Sequence, residues 1–464
     1  MRPKPGVRGT GSYEARRNRP HTYRARRNWP HSYRARRNWP HSYGARLHWL
    51  LCAGFALLLA VTTALPSHRI WGTCAAVAYA VAGLLTHGPW PRAAVAASLT
   101  GAVVVPSAVL LASGTAQSEV RVVERSGALL LHSGSPYLPN PAHVADYDPY
   151  LPGMALFGLP RALLGESPLT DARIGFCAVF LTCMFLTTVA ARRDSVLPLA
   201  AFPAVALPLA VGGVDLPVLG LMCLGLALAG RGGSGIAAGA AMGAAAALKW
   251  TAWPLLPVGL ALLTVTAGRR ATVRATCTAL LVSGLAVVPA ALTDPHAFVE
   301  HVVLFPLGEG EVRSPAASPL PGHLLATYVP GGSVLSMAAL AAAALAVAAS
   351  LLIRPPRTVA AAAHRLALGL GLAMCLIPAT RYGYLVYPLI LATWFRRPHE
   401  LRPVAAGPSP AAGASGAAEA NWSAPALRTQ GEPLPGKTSS LTPSSPAKLR
   451  AATADQIQGL SSRH

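Results

Sequence analysis

The stretch AHVADYDPYLPG, residues 142–153, sets Asp146 and Asp148 on either side of one tyrosine, in a chain with only 17 acids among 464 residues. Carboxylates so placed can serve as a general base or hold a divalent metal through their oxygens. Asp148, standing before Pro149, can equally begin a turn. A further carboxylate, Glu119, stands at the point where an apolar run gives way to a polar loop. Two cations complete the set. Lys249, the only lysine between residues 5 and 436, closes an Ala-rich run beside Trp250 and Trp253. Arg381 opens another run in PATRYGYLVYPL. A cation at the edge of apolar sequence either snorkels to the interface or meets a phosphate, which a planar guanidinium clamps in two places. Tyr382 and Tyr384, next to Arg381, are either interfacial belt residues or a wall on which a ring can stack.

The elements that must position these groups follow from composition. The chain is 53% hydrophobic and only 12% charged, half the charge of an ordinary soluble domain, which is roughly 25%. This is the composition of a membrane protein. Apolar runs long enough to span a bilayer, or nearly so, cover 47–65, 70–87, 93–113, 171–191, 195–213, 215–229, 234–249, 251–267, 274–292, 332–353, 359–378 and 382–395. The fold expected is therefore an all-α polytopic membrane protein of about twelve transmembrane helices. Two segments are too long to be turns, 114–170 and 293–331, and are expected as external loops carrying interfacial helices. Between Val120 and Leu131 the spacing suits one such helix, with Arg121 and Arg125 on its wet side; MALFGLPRALLG is a second.

Charge sets the orientation. The short turns expected on the inner side carry Arg92, Arg192 and Arg193, Arg231, Arg269 with Arg270 and Arg274, Arg354 and Arg357, and Arg396 and Arg397. Of the net charge of +22, residues 1–46 contribute more than half, with 13 Arg and Lys against one Glu. That arm repeats a ten-residue unit, TYRARRNWPH then SYRARRNWPH, whose period builds no solenoid core. It reads as a disordered basic cytoplasmic arm. Residues 47–396 form the transmembrane domain, and 397–464, rich in Ala, Pro, Ser and Gly, a disordered cytoplasmic tail. Both termini are thus expected in the cytoplasm. A nucleic-acid partner is not expected, since it would leave twelve spans without a purpose. The seven cysteines lie singly in apolar segments and read as small core residues. In the second long loop Glu300, His301, Glu309, Glu311 and His323 match no metal-ligand spacing, and the loop reads as a lid.

The residues 119–138, EVRVV followed by GALLLHSGSPYL, resemble the loop motif of polyprenyl-phosphate-dependent membrane glycosyltransferases of the GT-C type, particularly glycosyltransferase family 87. DYDPYLPGMALFGLP is similar to the segment with which such proteins re-enter the membrane, and AAAALKWTAWPLLPVGLALL to their small-residue helix ending in lysine. The chain departs from the family in having Glu at 119 where Asp is usual, and three spans before the loop. The resemblance implies a glycosyltransferase in which Glu119 deprotonates an acceptor hydroxyl while the sugar leaves its lipid phosphate, usually with inversion. It also implies a lipid-linked sugar donor, an envelope glycan or glycolipid acceptor and the outer face of the plasma membrane as the place of reaction. Local chemistry alone favours Asp146 and Asp148 as the base, and leaves a divalent metal open. Lys249 and Arg381 are expected to share the donor phosphate, with Tyr382 and Tyr384 against the sugar. The other class that fits twelve spans is a secondary transporter or lipid flippase. It would keep ionisable groups at mid-membrane and show duplicated halves, and neither is visible here.

Overall fold

The computed structural model describes residues 39–86, 91–191, 196–312 and 315–395. The ten-residue repeats before residue 39, Arg192 and Arg193, and the tail 397–464 lie outside the described residues. The first three helices are α1 (Trp39–Thr62), α2 (Pro66–Leu84) and α3 (Arg92–Ala112), the last interrupted by a π-turn at Thr100–Val104. The first long loop holds α4 (Ser118–Ser133) and the short α5 (Leu159–Leu164). The bundle continues through α6 (Ala172–Ala191), α7 (Leu197–Ala200), α8 (Pro203–Val211), α9 (Asp215–Arg231), α10 (Ile236–Leu248) and α11 (Leu255–Thr293). The second long loop holds α12 (Pro295–Val299), a π-turn at Glu300–Leu304, α13 (Phe305–Leu307) and α14 (Pro321–Tyr328). Helices α15 (Gly332–Ile353), α16 (Val359–Leu376) and α17 (Val386–Trp394) complete the described residues. Proline opens α2, α8, α12 and α14, where its fixed φ suits the first turn and no N–H is needed.

Among the described residues no strand occurs, and six helices are long and apolar enough to cross a membrane. This is fewer than the twelve runs expected, though every run falls on helix. The difference is one of length, except at α2, whose 19 residues suffice but whose first turn is polar, with Ser67, His68 and Arg69. The run 195–213 breaks between α7 and α8 at Phe202–Pro203, α10 has 13 residues and α17 has nine, against the roughly 20 that a bilayer core requires. The runs 251–267 and 274–292 are two helices that meet at a non-helical kink at Gly268, whose φ of 80° only glycine adopts at low cost; they are labelled together as α11 and count as one among the six.

The core is built around α9, which is apolar on all sides and buried on all sides; Val218, Leu219, Met222 and Leu226 are wholly inaccessible, packed by α6, α10, α11 and α16. The α10–α11 seam is made of small residues at a spacing of four. Gly235, Gly239 and Gly243 lie on Ala271, Ala275 and Ala279. A Cβ at Gly243 would stand 2.6 Å from the Ala279 carbonyl oxygen, and one at Gly239 would press harder on Ala275. Such backbones touch directly, as small-xxx-small packing in a membrane allows. A second core joins α1, α2, α3 and α8 around Trp49, Trp71 and Tyr79, with the Tyr79 hydroxyl donating to the Ala201 carbonyl at 2.7 Å.

Candidate active site

The hairpin of α9 and α10 sets the site. The helices run antiparallel through the turn at 232–235, so the N-terminus of α9 meets the C-terminus of α10. A carboxylate is favoured at the first end and a cation at the second. Asp215 begins α9 and Lys249 caps α10, and they meet: Lys249 Nζ donates to Asp215 Oδ1 at 2.6 Å, with Lys249 5% and Asp215 17% exposed. Tyr387 of α17 donates its hydroxyl to the same oxygen at 2.7 Å, and Thr251 donates to Tyr387 at 3.4 Å. The ammonium also lies 4.6 Å from the ring centre of Tyr384 and 5.4 Å from that of Tyr150, within cation–π range.

Toward solvent the same cluster continues through Glu119 and Arg381. Glu119 stands in the first turn of α4, again where a carboxylate suits the helix dipole. Its Oε1 accepts from Arg381 Nη1 at 2.6 Å and its Oε2 from Ser118 at 3.0 Å. His68, in the first turn of α2, bonds to Gln117, two residues before Glu119, at 2.8 Å. Lys249 and Arg381 are therefore brought to one cluster, where each is neutralised by its own carboxylate. Tyr384 lies inside the cluster; Tyr382 is exposed, its N–H bonded to Ser318 at 3.1 Å.

Asp146 and Asp148 have separate fates. Asp146 lies at the surface, and its Oδ2 accepts from the backbone N–H groups of Ala142 and His143 at 3.1 and 2.8 Å, closing a single turn. The His143 N–H is the chief reason that its pKa is lowered. Asp148 is buried; Ser126 Oγ donates to it at 2.6 Å and the Tyr150 N–H at 3.0 Å. Burial pushes its carboxyl up to about 7, against the pull of those two donors and of the Arg125 charge. The two carboxylates thus serve different partners, one at the surface and one inside, and do not form a shared cation site. Among the described residues no three His, Cys, Asp or Glu gather closely enough to hold a metal.

The two long loops are pinned together beside this site. The Asp148 N–H donates to His301 Nδ1 at 2.9 Å, so His301 Nε2 carries the proton and donates to the Leu138 carbonyl at 2.9 Å. Burial lowers the pKa of His301. Tyr147 donates to Glu300 at 2.9 Å and stacks on Phe305 at 4.0 Å. A small core of Tyr137, Leu151, Ala297 and Val302 fills the space between the loops. Glu300 and His301 are thus structural partners of the first loop, while Glu309 and Glu311 are exposed at its margin.

Asp215 is the site residue that sequence reasoning missed. It opens an apolar run, and only the hairpin length, 17 residues out and 13 back around a four-residue turn, hints that it faces Lys249.

A helical bundle with apolar spans and a polar, ion-paired cluster gathered at one end defines an integral membrane protein whose chemistry sits at the rim of its helices. Residues 149–378 match glycosyltransferase family 87. This part of the chain is a glycosyltransferase family 87 domain, and the protein is a membrane glycosyltransferase. No curated protein and no solved structure matches the chain. The matched residues take in Asp215, Lys249, Glu300 and His301; Glu119, Asp146, Asp148, Arg381, Tyr382 and Tyr384 lie beyond them and rest on geometry.

Proposed function

We propose that the protein transfers a sugar from a polyprenyl-phosphate donor to a cell-envelope glycan or glycolipid at the outer face of the plasma membrane, with Glu119 as general base. What supports this is the convergence of Glu119, Arg381, Tyr384, Lys249 and Asp215, from four separate elements, at one end of a family 87 bundle. A lipid-borne sugar arrives at the membrane surface, and these groups stand at the ends of helices rather than at their middles. Twelve crossings, some by short helices in protein contact, keep both termini in the cytoplasm.

In the resting site Arg381 holds Glu119. The donor phosphodiester, a monoanion, competes for Arg381 and Lys249, which hold it more strongly as its charge grows toward that of the departing polyprenyl phosphate. Glu119 is then free to accept the proton of the acceptor hydroxyl. The hydroxyl oxygen bonds to the anomeric carbon as the bond from that carbon to the phosphate oxygen breaks, and polyprenyl phosphate departs with the electron pair. Arg381 and Lys249 hold the phosphate charge, Asp215 and Tyr387 hold Lys249, and Tyr384 borders the sugar. Asp148 anchors the loop from inside and Asp146 closes a turn, so neither meets the acceptor.

The test is transfer in membranes containing the protein, supplied with radiolabelled polyprenyl-phosphate mannose, glucose or arabinose. Glu119→Gln is expected to lose about 10²–10⁴-fold in turnover, the usual share of a positioned base, with Asp146→Asn near wild type. No donor consumption by the wild type, or full activity in Glu119→Gln, would overturn the reading.

A further inference from the structure

A cavity lies on the other face of α4 from Glu119. Along a helix, residues 119 and 126 share one face, and 121, 124, 125 and 128 share the opposite one. The first face meets Arg381 through Glu119 and Asp148 through Ser126. The second borders a cleft of about 660 Å³, closed by Arg161 and Glu166 around α5 and by Leu111, Ala112 and Ala116 where α3 ends. One helix therefore separates two polar sites.

The lining residues of the cleft carry three arginines and three carboxylates, but these are not paired one to one. Arg161 is matched by Glu124 and Glu166, each at 3.3 Å, and Asp171 is taken by Arg173 at 2.7 Å. Arg121 has no ion pair or hydrogen bond among the described residues. Arg125 has no carboxylate either. It was expected to face water, but it folds under the loop and donates to the carbonyls of Ala145 and Asp146 at 2.7 and 2.8 Å, while its Nε is buried without a partner. Two guanidiniums without an ion-pair partner thus line a cleft that has an apolar wall at the end of a span on one side and carboxylates able to accept hydrogen bonds from hydroxyls on the other. A ligand that answers all three features is amphiphilic, anionic and hydroxylated.

We propose that this cleft binds a phosphate ester carrying hydroxyl groups, such as the phosphoglycerol headgroup of a lipid, with the phosphate against Arg121 and Arg125. The site is distinct from the sugar-transfer cluster. Its second consequence is mechanical. Arg125 grips the backbone immediately before Asp148, so an anion that fixes Arg125 also steadies the loop that carries Asp148.

The experiment uses the full chain in nanodiscs of phosphatidylcholine alone or with phosphatidylglycerol, and reads retained lipid by native mass spectrometry and amide exchange of residues 142–148. A third arm adds soluble glycerol phosphate to the phosphatidylcholine discs and separates a lipid headgroup from a free phosphate ester. We expect the wild type to retain phosphatidylglycerol and to slow exchange of 142–148 several-fold. Arg121→Ala, an exposed residue without partners, should lose at least fivefold in retention, and Arg354→Ala, exposed near the opposite end of the bundle, should not. If soluble glycerol phosphate alone slows the exchange, the cleft reads phosphate without need of the lipid chains. Equal exchange in all three arms, retention unchanged in Arg121→Ala, or equal loss in Arg354→Ala would overturn the proposal.

Discussion

At the scale of single residues, the site depends on charges that cannot be removed one at a time. Lys249 and Asp215 are a buried pair, and burying two ions is repaid only while both remain. Lys249→Met leaves Asp215 with Tyr387 as its remaining side-chain donor, and Asp215→Leu leaves an ammonium between tyrosine rings. Each single change is expected to cost about 3–5 kcal/mol, the usual penalty for orphaning a buried charge. The double variant should recover most of that loss and still fail to transfer sugar, because the cation proposed to hold the donor phosphate is gone. Thermal unfolding in detergent and transfer assays on the three variants check this. A double variant as unstable as either single one would mean that the pair is not coupled, and an active one that Lys249 does not serve the phosphate.

At the scale of elements, the placement of Lys249 is set by the α10–α11 seam, where three glycines meet three alanines. Gly243→Val is expected to destabilise the protein by about 1–3 kcal/mol through overpacking, and to lower turnover beyond that by moving the end of α10. Gly284→Ala is the contrast. Nothing lies within 4 Å of its missing Cβ, so alanine should stabilise α11 by about 0.8–1 kcal/mol through helix propensity. Melting of the two variants in parallel tests the sign of each effect. These elements were largely legible in the sequence: each apolar run falls on helix, and the helix expected at Val120–Leu131 is α4. Partners were not. Periodicity tells which face of α4 is polar, but not that Arg125 would turn under toward carbonyls 20 and 21 residues on. Nor can it tell that Glu119 would find Arg381 across 262 residues, or that Lys249 would be neutralised by an aspartate hidden at the start of an apolar run. Hydropathy reports how a residue meets solvent or lipid, whereas pairing depends on which helix ends the topology brings together.

At the scale of the whole molecule, two loops more than 150 residues apart close on one another through Asp148 and His301, and their titrations oppose. Asp148 has a raised folded pKa of about 7. The folded state holds its proton more tightly than the unfolded chain, so the clamp weakens as pH rises from the ordinary carboxylate range, near 4, to about 7. His301 has a lowered folded pKa, because its Nδ1 must stay bare to accept the Asp148 N–H in a buried place. The clamp therefore weakens as pH falls below the ordinary histidine value, near 6.5. Asp148→Asn keeps an acceptor for the Tyr150 N–H and removes the first effect; His301→Gln offers both an acceptor to Asp148 and a donor to Leu138, and removes the second. Amide exchange of residues 134–158, corrected for intrinsic rates between pH 5 and 8, should then separate them. In Asp148→Asn, protection should fall toward acid, and in His301→Gln it should fall toward base, with the wild type changing less than either across the interval from 5 to 6.5. Slopes of the same sign in both variants would show that the loops are held by their shared core of Tyr137, Leu151, Ala297 and Val302 rather than by the histidine and the carboxylate.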